Sequence, residues 1–220
     1  PTNNDKPTWH WSPDPDATLY GIVLNDRAEV NSTDANFQSP LNLTTGHVHT
    51  LKLKVRARDS LGTWSDYGEK TVVVDLAKPA VPNPSTNTPT SNQQPTWNWQ
   101  EVVSAVAYHV KFNGGSVESV GLDRSYTPDS QLGTGSYKLE VRSEDNVGNL
   151  SDWGSHTVEV DRELPAKPDP TTTTPTNNKQ PTWTWPKIND AVLYGVVLNN
   201  LAESEQTELF FTPTQELAEG

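Results

Sequence analysis

Cysteine and methionine are both missing from this 220-residue chain. Without cysteine there can be no disulfide and no thiolate metal site, so the fold must be held by packing and hydrogen bonds alone. That absence does not by itself place the compartment. Long apolar runs are also missing: nothing approaches the roughly 18 consecutive residues that would span a bilayer, and no leader-like segment opens the sequence. Basic residues are few, 16 Lys and Arg against 28 Asp and Glu, for a formal charge of −12. Nucleic acids and anionic membrane surfaces require clustered cations, so both are excluded as expected partners, and the acidic balance reads as a solubilising surface. Apolar residues make up only 32% of the chain. A stable core then requires that they be concentrated at interior positions. Pro1 is an unusual first residue, and the expectation is a segment of a longer chain.

What is present is repetition. Pro7-Thr8-Trp9-His10-Trp11 recurs as Pro95-Thr96-Trp97-Asn98-Trp99 and as Pro181-Thr182-Trp183-Thr184-Trp185, at spacings of 88 and 86 residues. A tyrosine follows each first Trp by eleven positions: Tyr20, Tyr108 and Tyr194. Val55-Arg56-Ala57-Arg58-Asp59-Ser60-Leu61-Gly62 aligns with Val141-Arg142-Ser143-Glu144-Asp145-Asn146-Val147-Gly148. Three landmarks in one register exclude chance. The period is too long for a solenoid and suits an independent domain.

Within the period the pattern alternates. Tyr108, Val110 and Phe112 interleave with Ala107, His109 and Lys111; Tyr137, Leu139 and Val141 interleave with Lys138, Glu140 and Arg142; Val158 and Val160 interleave with Thr157 and Glu159. Period two with one polar face predicts antiparallel strands over a single core. Asn113-Gly114-Gly115, Gly133-Thr134-Gly135 and Asn146-Val147-Gly148 supply turns between them. Several short strands per repeat predict an all-β fold of tandem antiparallel sandwiches. Six of the eight tryptophans fall in the Trp-x-Trp pairs, and two positions apart on a strand means one shared face. The pairs are predicted to plug the core rather than form an aromatic sugar platform, because burying such rings stabilises by several kcal/mol.

The joins are equally regular. Asp75 to Pro95 and Asp161 to Pro181 have the same length, with prolines matched at Pro79 and Pro165, Pro82 and Pro168, Pro84 and Pro170. A loose tether tolerates drift in length; a fixed join leading into an edge strand does not. The expected modules are 1–76, lacking its first edge strand; 77–162, complete; and 163–220, lacking its last two strands. In the third, Trp183, Trp185, Tyr194, Val196 and Leu198 are expected to face water on the open side.

The early Trp, the following Tyr-x-Val, Leu132-x-x-Gly135-x-Tyr137, and then Val141-Arg142 resemble fibronectin type III modules. The units also resemble the immunoglobulin-like repeats of large bacterial surface and secreted proteins, which carry Pro-Thr-x-x-Trp early and close with Val-Asp before a Pro-rich join. The resemblance implies a tyrosine corner at Leu132, Gly135 and Tyr137, a corner the first repeat departs from, since Leu51 stands where Tyr137 does. Trp64-Ser65-Asp66-Tyr67-Gly68 and Leu150-Ser151-Asp152-Trp153-Gly154 are similar to the Trp-Ser-x-Trp-Ser motif of cytokine receptor modules, which implies that Arg56 and Arg142 stack on the Trp rings. Trp64, Tyr67 and Trp153 are the candidate ligand-contact residues should those rings be exposed.

No catalytic pattern accompanies this. The five histidines stand at positions occupied by other residues in the neighbouring repeats: His10 aligns with Asn98 and Thr184, His109 with Gly21 and Gly195. No phosphate-binding Gly loop and no serine–histidine–acid motif is recognisable. An enzyme is not expected. Asp145, Asn146, Asn149 and Asp152 are candidate calcium ligands, as hard oxygen donors in one loop, although Asp and Asn also simply build turns. No other cofactor is expected. The resemblance implies a structural or adhesive extracellular role, as the stalk or spacer of a bacterial surface or biofilm adhesin whose protein or glycan ligand is met by other parts of the parent chain. The alternative is an accessory carbohydrate-binding or spacer module of a secreted polysaccharide-active enzyme.

Overall fold

The computed structural model describes residues 1–174 and 176–217. They contain sixteen strands, and no helix among them is long and apolar enough to cross a membrane. The chain divides into two compact units, Pro1–Asp161 and from Arg162 onward. The first unit holds the first two repeats and the second unit the third.

In the first repeat, β1 (Thr8–His10) pairs with β4 (Asn36–Gln38). A four-stranded sheet runs in the order β3 (Val30–Ser32), β2 (Leu19–Leu24), β5 (Val48–Arg58), β6 (Gly68–Asp75), antiparallel throughout. The second repeat reproduces this arrangement. There β7 (Trp97–Asn98) pairs with β10 (Ser125–Tyr126), and the larger sheet runs β9 (Val117–Gly121), β8 (Ala105–Phe112), β11 (Gly135–Asp145), β12 (Gly154–Val160). Trp97 from the small sheet and Tyr108, Val110, Leu139, Val141, Val158 and Val160 from the large one form one buried cluster. That cluster is the sandwich core, and it is built on the alternation read from the sequence. Trp97, Trp99, Tyr108 and Val110 are buried, while Phe112 is half-buried between the rings of Trp97 and Tyr137. The Tyr137 hydroxyl donates to the Gly133 carbonyl at 3.3 Å, which makes the corner bond; in the first repeat Leu51 is simply buried at that place.

The Pro-rich join is ordered by backbone pairing. Ser85 exchanges both of its hydrogen bonds with Asn98, and five residues later Thr90 lies parallel to Val160. The segment therefore begins on the small sheet and ends on the large one. Its prolines Pro82 and Pro84 are fully buried, a position open to proline because an edge asks for few donors. Thr2 pairs with Val74 as Thr90 does with Val160, and Thr171 pairs with Thr184 as Ser85 does with Asn98.

The second unit has β13 (Trp183–Thr184) paired with β16 (Phe210–Phe211), and β14 (Tyr194–Val196) paired with β15 (Ser204–Gln206). Two local devices recur in all three repeats. The Tyr20, Tyr108 and Tyr194 hydroxyls accept the backbone N–H of Asp14, Val102 and Ile188, at 2.9, 2.8 and 3.0 Å. The hairpin that follows turns on two residues of positive φ: Asn25-Asp26, Asn113-Gly114 and Asn199-Asn200. Asn, Asp and Gly tolerate that conformation, and its twist matches the flanking strands.

The five side chains expected to face water in the third repeat divide. Trp183, Val196 and Leu198 are half-buried, but Trp185 and Tyr194 are buried. Their rings meet at 5.7 Å, and the Lys167–Pro170 segment closes round the same cavity. The two rings that escape solvent pack on each other, and the Tyr194 hydroxyl is held by the Ile188 N–H.

Candidate functional site

Three places could carry function: the cation–aromatic stacks on the outer faces of the large sheets, the acidic loop between the first two repeats, and the apolar clefts.

On the first repeat Arg56 lies over Trp64 at 4.3 Å and over Tyr67 at 5.0 Å. Its Nη2 donates to Glu29 Oε1 at 2.8 Å, and the Tyr67 hydroxyl donates to Glu29 Oε2. The Arg56 guanidinium, and after it the Tyr67 hydroxyl, hold the Glu29 carboxyl below the usual glutamate range. Gly21 makes room for this: a Cβ there would lie within 2.9 Å of the Glu29 carboxylate. On the second repeat Arg142 covers Trp153 at 4.5 Å, with Lys111 over the same ring at 5.2 Å. Here His109 replaces the glycine and meets Glu144 at 2.6 Å. Glu140 takes Lys111 at 2.9 Å, and its carboxyl is lowered by that bond first.

Trp64 and Trp153 are thus half-buried under cations, and Tyr67, 40% exposed, is the open ring of the set. None of the eight tryptophans is in the exposed class. A flat array of free indole faces, which stacking on sugars requires, is absent among the described residues. Glu29 was not singled out from the sequence. Its signal was present in the spacing: Gly21 precedes Glu29 by eight residues, as Gly195 precedes Glu203.

The acidic loop brings Asp145 and Asn149 together and leaves Asn146 and Asp152 apart from them. Asp145 Oδ1 accepts the N–H groups of Val147 and Asn149, each at 2.9 Å, and Oδ2 accepts Asn149 Nδ2 at 2.9 Å. Asn149 Nδ2 also donates to the Asp75 and Ala77 carbonyls at 2.9 and 3.2 Å. Asn146 is exposed. Asp152 pairs with Lys78 at 2.7 Å. The carboxylate of Asp145 is spent on its own turn, and the amide of Asn149 ties the second repeat to the chain leaving the first. Among the described residues no group of three His, Cys, Asp or Glu could hold a metal ion.

Two clefts are lined by aromatic residues. One, of about 600 Å³, lies in the first repeat between Trp9, Trp11, Tyr20, Val55, Ala57 and Gly68. The corresponding place in the second repeat is occupied. Ser143, the counterpart of Ala57, donates to the Ala80 carbonyl at 2.7 Å, and Gly154, the counterpart of Gly68, faces the Pro82 carbonyl. In the second repeat the corresponding place is filled by the Pro-rich segment 80–82. The other, of about 430 Å³, lies in the second unit between Trp183, Trp185, Tyr194, Val196, Leu198 and Phe211.

No family model matches the chain, and no curated protein does. Among solved structures, the fibronectin(III)-like modules of Clostridium thermocellum CbhA align with 72% of this chain and 87% of theirs, at 14% identity and a TM-score of 0.40. The central fibronectin-III array of RIM-binding protein aligns with 98% of this chain and 91% of its own, at 13% identity and a TM-score of 0.31. Both are themselves described as fibronectin III modules, and neither likeness bears on what this chain does. The strand pairings establish the architecture: an all-β chain whose first two repeats are each a sandwich of a two-stranded and a four-stranded antiparallel sheet.

Proposed function

We propose that this chain is a non-catalytic spacer, a tandem sandwich array that holds other parts of an extracellular bacterial surface protein at a distance. The single observation behind this reading is that every tryptophan is at least half-covered, so the aromatic investment of the sequence goes into cores and cation stacks rather than into a ligand face. The tie from Asn149 to Asp75 and Ala77 supports it, because a spacer transmits position only if its joints are bonded. In the adhesin form of the proposal, the glycan or protein ligand is met outside these residues.

The test has two arms. Spin labels at the exposed positions Leu61 and Val103 should give one narrow distance distribution, and a glycan array should retain nothing. A broad distribution would remove the spacer role. Retention of a polysaccharide, lost in Tyr67→Ala, would favour the second reading, an accessory module of a secreted polysaccharide-active enzyme. The observation behind that second reading is the exposed ring of Tyr67.

A further inference from the structure

The first repeat carries a histidine pair that the second lacks. His49 lies opposite Val74, as Gly135 lies opposite Val160. By that register His47 and His49 stand where the second repeat has Gly133 and Gly135. Two positions apart on extended chain, their rings fall on one face, and the ring centres are 6.3 Å apart. The backbone that presents them is bonded on both sides of the turn. The Gly46 N–H donates to the Leu76 carbonyl at 2.8 Å, and the Leu76 N–H donates to the His47 carbonyl at 2.9 Å.

The hydrogen bonding of the pair selects its chemistry. His49 Nε2 lies 2.8 Å from the Thr44 carbonyl oxygen. That oxygen can only accept, so Nε2 carries the proton and the neutral ring keeps its lone pair on Nδ1. A histidine with one ring nitrogen bonded to a backbone carbonyl and the other left with its lone pair is oriented as metal-ligating histidines are. His49 alone could be a tie for the loop, since in the second repeat the Tyr137 hydroxyl reaches the Gly133 carbonyl. That account leaves out His47, which is exposed and whose ring meets the ring of His49. An imidazole nitrogen binds a first-row cation at about 2 Å, so two rings on one ion have centres roughly 5–6 Å apart. A small turn of the exposed His47 ring reaches that separation. Beside His49 lies a cavity of about 480 Å³, lined also by Asn42 and Thr50, with room for waters to complete the shell.

We propose that His47 and His49 form a surface site for a divalent first-row transition ion, Cu²⁺ in preference to Zn²⁺. Two imidazoles and water hold such an ion exchangeably, so the site captures a metal and does not support the fold. Arg27 lines the same cavity. Its charge opposes a cation there and favours an anion, which gives the test its contrast. This goes beyond the spacer reading and does not depend on it.

The whole chain is titrated with CuCl₂ and followed by calorimetry and electron paramagnetic resonance. One equivalent should bind with a dissociation constant on the order of micromolar, and the spectrum should show two coordinated imidazole nitrogens. His47→Ala should weaken binding by about tenfold or more and leave one nitrogen. An unchanged melting midpoint is the folding control for that variant, whose side chain is exposed. His49→Ala should weaken binding as much, and Arg27→Ala should leave it equal or tighter. Zn²⁺ should bind more weakly than Cu²⁺. The proposal is overturned if no equivalent of Cu²⁺ binds, or if the same affinity survives in the His47→Ala, His49→Ala double variant, as it would for copper on the Pro1 amine. Weaker binding in Arg27→Ala would overturn it too, because the cavity would then be an anion site.

Discussion

The second and third repeats start from the same five-residue motif and end with different interiors. Trp97 is fully buried and Trp183 half-exposed; Val110 is buried and Val196 is not. The local devices are common to both: the Tyr hydroxyl bond to the residue six positions upstream, the left-handed hairpin, the Thr–Thr hydroxyl contacts Thr96–Thr127 and Thr182–Thr212 at 2.7 Å. What differs is β11 and β12, which come from later in the chain and close the second core. Local sequence therefore sets the hairpins, and distant strands decide how dry they become.

The largest expected break in that comparison is at the inner tryptophans. Trp99→Ala should cost the second repeat about 3–5 kcal/mol, because a rigid core leaves most of the cavity unfilled. Trp185→Ala should cost the second unit less, about 1–2 kcal/mol, since one side of its ring already borders a trough. Denaturant melts followed by hydrogen exchange would separate the two, and equal losses would mean that the trough is not a gap in packing.

A sharper version uses one position in two settings. In the second repeat a Cβ at Gly154 would lie 1.8 Å from the Pro82 carbonyl oxygen, a backbone atom that cannot swing aside. In the first repeat the nearest atom to the same Cβ at Gly68 is the Val55 carbonyl oxygen, at 3.8 Å. Gly154→Ala should therefore destabilise by about 1–3 kcal/mol as overpacking, and Gly68→Ala by less than about 0.5 kcal/mol. Thermal melts of the two variants decide the point, and similar shifts would mean the Pro-rich segment does not sit as described.

Much of this is legible in the amino-acid sequence. Period two in Tyr108–Phe112 and Tyr137–Val141 specified strands, and the matched prolines specified an ordered join. The reason the join is ordered was not legible: burial of Pro82 against Gly154 depends on a contact between residues far apart in sequence. Asp145 and Asn149 stood in the sequence among four oxygen-bearing side chains of one loop, with Asn146 and Asp152, and the choice between a turn and a cation stayed open there, since both ask for the same residue types. The backbone carbonyls of Asp75 and Ala77, which the Asn149 amide reaches, carry no signature in sequence.

The joint itself should respond modestly. Asn149→Ala removes donors to two carbonyls across the repeats and one to Asp145, and should cost about 1 kcal/mol while broadening the Leu61–Val103 distance distribution. Asp145 has its oxygens engaged within the loop, so the melting midpoint is expected to be the same in EDTA and in millimolar Ca²⁺. A rise of about ten degrees with Ca²⁺, about 1–3 kcal/mol for a domain of this size, would show that the loop opens to a metal.

The smallest effect expected is on pH, and it compares the outer faces of the first two repeats. Glu29 and Glu140 both have carboxyls held below the ordinary range, by Arg56 and by Lys111. A depressed folded value means that their contribution is fully present above the unfolded value and is lost as pH falls through the folded one. Both pairs lie at the surface, where solvent screens them, so the contribution is minor. Tyr67 adds an opposite edge to the first repeat. Its bond to Glu29 raises the phenol, so that contribution is present below the unfolded value and is lost as pH rises through the raised folded one. The first repeat should therefore soften slightly at both acid and strongly alkaline pH; the second softens through Glu140 at acid pH and through Tyr126, whose phenol burial raises, at alkaline pH. Tyr67→Phe should reduce the alkaline softening, leaving the part that Lys54 contributes through Asp26, and spare the acid one, because the Arg56 bond to Glu29 remains. If Tyr67→Phe leaves the alkaline limb of the first repeat unchanged in hydrogen-exchange or melting profiles, the Tyr67–Glu29 bond is not made in solution.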